Sequence, residues 1–109
     1  MPEDEPGLRA GIERAGDDRY RIQGSLTFDT VTRLLARSLE LFSHAEALDI
    51  DLGAVENADS AGLALLIEWM RYARRRDLPI RFINMPPQML AIARASSLDH
   101  VLPLIREPN

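Results

Sequence analysis

Two runs decide the fold: Ala47-Leu48-Asp49-Ile50-Asp51-Leu52, and, across a brief polar stretch, Asp59-Ser60-Ala61-Gly62-Leu63-Ala64-Leu65-Leu66. The first alternates strictly, with Leu48, Ile50 and Leu52 on one side and Asp49 and Asp51 on the other. Such alternation predicts a strand with one face buried and the other wet or functional. The second run opens a strongly apolar helix predicted to extend from Ser60 to about Arg75. A strand, a loop and a helix start place the Ser60 hydroxyl where backbone N–H groups and the helix dipole favour negative charge. Three readings stay open for that hydroxyl: a phosphorylation site, an anion contact, or simply a helix cap.

Working outward, Leu8 to Glu13 and Arg19 to Gln23 read as strands joined by the turn residues Ala15-Gly16-Asp17-Asp18 into a hairpin. Gly24-Ser25 ends the second strand, and Leu26-Thr27-Phe28 links it to a helix running from Asp29 or Thr30 to Phe42. Asp29 is its expected N-cap. Val31, Leu34, Leu35, Leu39 and Phe42 form its apolar stripe, with Arg33, Arg37 and Glu40 outside it. Beyond Asp77, Pro79 to Ile83 reads as a strand. Pro86-Pro87 opens a third helix, whose apolar side is Leu90, Ile92 and Ala93 and which ends at Ser96-Ser97. The segment His100 to Ile105 is a last strand or extended stretch.

The order β-β-α-β-α-β-α, with or without a final strand, defines an α/β fold. Its sheet is mixed but mostly parallel, of four to five strands, with helices mainly on one face. Residues 1–7 carry three acids and two prolines and are expected to be disordered. Residues 8–105 form one domain and 106–109 a tail.

The 109 residues fit a single domain, and an apolar content of 46% supports one modest core. A net charge of −4 argues against a general nucleic-acid binder and against adhesion to an anionic membrane. There is no cysteine, which removes disulfides, thiolate metal sites and a cysteine nucleophile. No run approaches the ~20 apolar residues needed to span a bilayer. The acidic N-terminus has no apolar run behind it, so a secretory signal is not expected. A cytoplasmic protein without membrane insertion is the expectation. All thirteen basic residues are arginine, which fits a codon-composition bias.

No catalytic constellation stands out. The chain has no Gly-x-Ser-x-Gly, no lysine for a phosphate loop, and no histidine paired with a nucleophile. Asp49, Asp51 and Asp59 suggest a metal at first sight, and Asp51 and Asp59 flank one loop. His44 and His100 lie outside that cluster with no ligand spacing, so no metal is expected. Asp59 reads better as a local hydrogen-bonding residue that shapes the start of the helix.

The helix from Ser60 has more apolar residues than one core face needs. Gly62, Leu63, Leu66, Ile67, Met70 and Ala73 make the expected core side. At 100° per residue Ala61, Leu65 and Tyr72 cluster away from Leu66 and Met70, with Trp69 at the border. Either another segment covers this second side or a partner docks there, anchored by Tyr72 and Trp69. Arg71, Arg74, Arg75 and Arg76 close the helix as a solvated, dipole-complementing last turn, or as a rim against an acidic partner.

Asp51-Leu52 followed by Asp59-Ser60-Ala61-Gly62-Leu63 resembles the STAS domain family of anti-sigma-factor antagonists and sulfate transporters, over about Leu8 to Leu104. Within that family, Gly24-Ser-Leu-Thr-Phe-Asp-Thr-Val31, Asp59 to Leu66 and Asn84-Met-Pro-Pro-Gln-Met-Leu90 look like the MlaB branch. Members of that branch are small cytoplasmic subunits of the ABC transporter that maintains outer-membrane lipid asymmetry in Gram-negative bacteria. The resemblance implies a non-catalytic regulatory subunit without cofactor. Its partner would be an MlaF-like ATPase, in a complex with permease and substrate-binding subunits peripheral to the inner membrane. The partner-binding residues it implies are Ser60, Asp59, Ala61, Ala64, Leu65, Glu68 and Tyr72. The alternative is an anti-sigma factor antagonist switched by phosphorylation of Ser60. Many antagonists carry a second serine or threonine after the phospho-acceptor, where this chain has Ala61.

Overall fold

Turn chemistry at Ala15 to Asp18 reverses the chain between β1 (Ala10–Arg14) and β2 (Arg19–Leu26), which pair antiparallel. The computed structural model describes residues 9–107, so the expectation for residues 1–7 lies outside the described residues. The next elements are α1 (Val31–Leu41), a 3-10 turn (Phe42–His44), β3 (Leu48–Ala58) and α2 (Ser60–Arg75). Then come β4 (Ile80–Ile83), α3 (Pro87–Ala95) and β5 (Leu104–Ile105). The strands lie in sequence order, β1-β2-β3-β4-β5, and every pair after the first is parallel. This is the expected mixed, mostly parallel sheet, with five strands.

The alternation read at Leu48 to Leu52 sets the layering. Leu48, Ile50 and Leu52 are completely buried and share the core with Ile22, Leu66, Trp69, Phe82 and Met89. Each such side chain contributes roughly 1.5–3 kcal/mol by leaving water. Asp49 and Asp51 point the other way and carry an ion-pair lattice instead. Arg81 binds Asp49 through two hydrogen bonds, at 2.9 and 2.7 Å. Arg19 bridges Asp51 at 2.9 Å and Glu107 at 2.7 Å. The Arg81 guanidinium holds the Asp49 carboxyl below its usual range, and Arg19 does the same for Glu107. Because Glu107 N–H also donates to Asn84 Oδ1, the expected tail is docked as far as Glu107.

Three boundaries differ from expectation for stated reasons. β2 does not stop at Gly24-Ser25: Gly24 takes φ +88°, and a Cβ there would lie 2.3 Å from Arg9 O, so glycine alone lets the strand pass and continue to Leu26. β3 likewise runs through the polar stretch to Ala58, pairing with β2 across register shifts after Arg21 and Gly24. Asp29 is not the cap of α1. Thr30 occupies that position and its Oγ1 turns back to donate to Ser25 O at 2.7 Å and accept from Thr27 N–H at 3.0 Å.

Candidate partner-binding site

α2 begins where β3 ends, and Asp59 joins them. Its Oδ1 accepts from Ala61 N–H at 2.8 Å, which makes Asp59 the N-cap. Its Oδ2 accepts from Phe28 N–H at 3.3 Å, and its own N–H donates to Leu26 O at 3.1 Å. The local hydrogen-bonding role read for Asp59 is therefore the observed one. Ser60 is the first helical residue and is exposed. The cap reading of its hydroxyl is corrected: Asp59 does that work, and the Ser60 side chain is left free to face outward. Asp51, by contrast, is engaged by Arg19 on the opposite side of the sheet and accepts from Gly53 N–H at 2.9 Å. Among the described residues no cluster of three or more metal-ligating side chains occurs.

Gly62 brings the helix start onto β2. A Cβ at this position would lie 2.9 Å from both Leu26 Cβ and Leu26 O, closer than real side chains approach. The absence of that carbon sets the depth at which the first turn of α2 sits, and so the height of Ser60 above the sheet.

The second apolar side of α2 is not a docking face. Leu65 is 3% exposed, Tyr72 7% and Trp69 not at all. α1 covers them. Trp69 Nε1–H donates to Ser38 Oγ at 2.7 Å, and the Phe42 ring lies 6.1 Å from Trp69 and 5.9 Å from Tyr72. Leu65 and Tyr72 thus leave the set of accessible partner residues, and Trp69 is a core side chain. The buried arc of α2 spans half the helix circumference because the sheet and α1 pack on adjacent flanks. Ile67 and Met70, expected in the core, fall to the edges of that arc and are only partly buried.

The exposed strip is the opposite one. Ser60, Ala64 and Arg71 are exposed along it, with Ala61, Ile67 and Glu68 half-buried beside them. Ser60, Leu63, Ala64 and Ile67 line a shallow groove that Ser96 and Leu98, just past α3, close on the far side. Glu68 and Arg71 pair at 3.2 Å at its end. Arg76 stacks over the Tyr72 ring, 4.9 Å from its centroid, while Arg74 and Arg75 are exposed. Of the residues named from the sequence, Ser60, Ala64 and Glu68 line this groove, while Asp59 and Ala61 lie at the start of the same helix. Sequence reasoning missed Ser96 and Leu98, which only the folding of α3 against α2 brings there. It also passed over Phe28, whose side chain is 82% exposed beside the cap of α2.

The fold has close relatives among solved structures. The anti-sigma factor antagonist SpoIIAA in its unphosphorylated form aligns with a TM-score of 0.71 at 15% identity, covering 92% of this chain and 89% of that one. A substituted RsbS from Moorella thermoacetica aligns with a TM-score of 0.69 at 22% identity, covering 92% and 88%. An anti-sigma factor antagonist from Mycobacterium paratuberculosis aligns with 0.66 at 23% identity, covering 89% and 86%. No curated protein matches the sequence. The family model described as "Mlab, STAS domain" matches residues 11–106, and the chain belongs to that family of STAS domains. No helix among the described residues is long and apolar enough to cross a membrane.

Proposed function

We propose that this chain is a non-catalytic regulatory subunit that binds the cytoplasmic ATPase of an ABC transporter for phospholipids and holds it in an assembled, active arrangement. The observation that carries the reading is the MlaB-type family match over residues 11–106. The exposed strip of α2, headed by Ser60 and floored by Ala64 and Ile67, supplies the contact face. Small side chains at Ser60, Ala61 and Ala64 let a partner backbone approach closely. The charged ends, Glu68 and Arg71, give the rim polar partners. ATP belongs to the partner, and this chain acts by binding one state of the ATPase better than another.

Ser60→Asp tests this face. An acidic side chain in the first helical turn interacts favourably with the dipole, so the melting temperature is expected to hold or rise slightly. A buried, unpaired charge at the interface is expected to weaken the complex with the purified ATPase by about tenfold or more. Undiminished co-purification of the ATPase with the variant would remove Ser60 from the contact.

A second reading is a phosphorylation-switched antagonist of an anti-sigma kinase. The exposed hydroxyl of Ser60 in the first turn of α2 favours it, since a phosphate there would add about −1.5 to −2 charges without disturbing the fold. Incubation with a cognate kinase and ATP separates the two, because only the switch requires phosphate on Ser60.

A further inference from the structure

An exposed phenyl ring is costly to display and is normally tucked away when the chain around it is free to move. Phe28 is 82% exposed, and the chain around it is not free. Thr30 N–H and Val31 N–H both donate to Thr27 O, at 2.9 and 3.0 Å, closing a tight turn around Phe28 and Asp29. Thr30 Oγ1 fastens that turn from inside by donating to Ser25 O and accepting from Thr27 N–H. Phe28 N–H itself donates to Asp59 Oδ2. One carboxylate therefore holds both the backbone of Phe28 and the first turn of α2, which carries Ser60. The other strongly exposed apolar side chain among the described residues, Val101, lies on the turn after α3, where its N–H donates to Leu98 O at 3.0 Å, away from the start of α2.

Resting on the reading that this chain binds an ABC-transporter ATPase through the Ser60 strip, we propose that Phe28 is the anchor of that interface. The ring inserts into an apolar socket of the ATPase whose edge carries arginine or lysine. The basic edge follows from charge: Asp29 adjoins the ring in sequence, Asp59 is bonded to its backbone, and both are exposed. A rigid aromatic loses little conformational freedom on docking, and such residues, seated centrally, dominate interface energies. The turn fixes the backbone that carries the ring before the partner arrives, so that part of the ordering cost falls on folding rather than on binding. Arg33, in the first turn of α1, is the nearest cation in sequence and would limit how far the socket extends toward that helix.

The test is titration of the purified phospholipid-transporter ATPase of the same organism with wild type, Phe28→Ala and Phe28→Leu, each also melted alone. Phe28→Ala is expected to raise Kd about thirtyfold, and Phe28→Leu to stay within about fivefold of wild type. Melting temperatures should match, since the side chain is 82% exposed. Asp29→Lys is expected to slow association about tenfold at low salt. If Ser60→Asp weakens binding while Phe28→Ala binds within twofold of wild type, the α2 interface stands and Phe28 is not its anchor. An unchanged association rate for Asp29→Lys would overturn the basic edge. If wild type does not bind the ATPase at all, the anchor and the functional reading fail together.

Discussion

Trp69→Ala is expected to lower the unfolding free energy by about 3–5 kcal/mol. Trp69 has no exposed surface, packs edge-on to Phe42, and donates its indole N–H to Ser38 Oγ at 2.7 Å. Removing it opens a cavity between α1 and α2 and strands the fully buried Ser38 hydroxyl, which would keep only its bond to Leu35 O. For a domain of this size each kcal/mol corresponds to roughly 4–8 °C, so the melting temperature should fall by more than about 12 °C. Urea unfolding measures the loss directly. A loss under about 1 kcal/mol would mean that α1 does not clasp the second side of α2, and the docking face first expected at Leu65 and Tyr72 would return.

The second large effect is expected at Gly62→Val. The first added carbon already meets Leu26 at 2.9 Å on both its side chain and its carbonyl, and valine adds two more methyl groups. Neither contact is the far end of a flexible chain, so α2 must lift away from β2. We expect about 3 kcal/mol of destabilisation, with melting and urea unfolding as readouts. The shift is coupled to function. Lifting the first turn breaks the geometry in which Asp59 bonds both Ala61 and Phe28, so the surviving folded protein should also bind the ATPase poorly. A variant with wild-type stability would show that the contact between β2 and α2 is looser than its distances imply.

Much of this was legible in the chain. The alternation of Leu48, Ile50 and Leu52 with Asp49 and Asp51 correctly reports a sheet covered on one face, because period-two patterning is a direct consequence of strand geometry. Asp59, Gly62 and the apolar run after them mark the start of α2 where it is found. What the sequence hid were effects of tertiary contact. Helical periodicity says that Leu65, Trp69 and Tyr72 share a side, but not that Ser38 of α1 and Phe42 of the 3-10 turn after it will arrive to cover it. The continuation of β3 through Gly53 to Ala58 is carried by backbone pairing with β2, which leaves no hydrophobic pattern to read. Glu107 belongs to the ion-pair lattice only because β5 brings it over Arg19. In the site, Ser60 was legible from its position, whereas Phe28, lying in a link with no period, became significant only once its N–H was seen on the cap of α2.

The account turns on the exposed strip of α2 being the contact with the ATPase, and Ala64→Arg probes it most directly. Ala64 is exposed at the middle of that strip, and arginine is a good helix former, so stability should stay within about 0.5 kcal/mol. A bulky charged side chain there must either block the partner or be buried without a counter-charge. Titrated against the purified ATPase, wild type is expected to form a stable complex and Ala64→Arg to lose it by a hundredfold or more, about 2.7 kcal/mol, with an unchanged melting curve. Equal affinities for the two proteins would contradict the account.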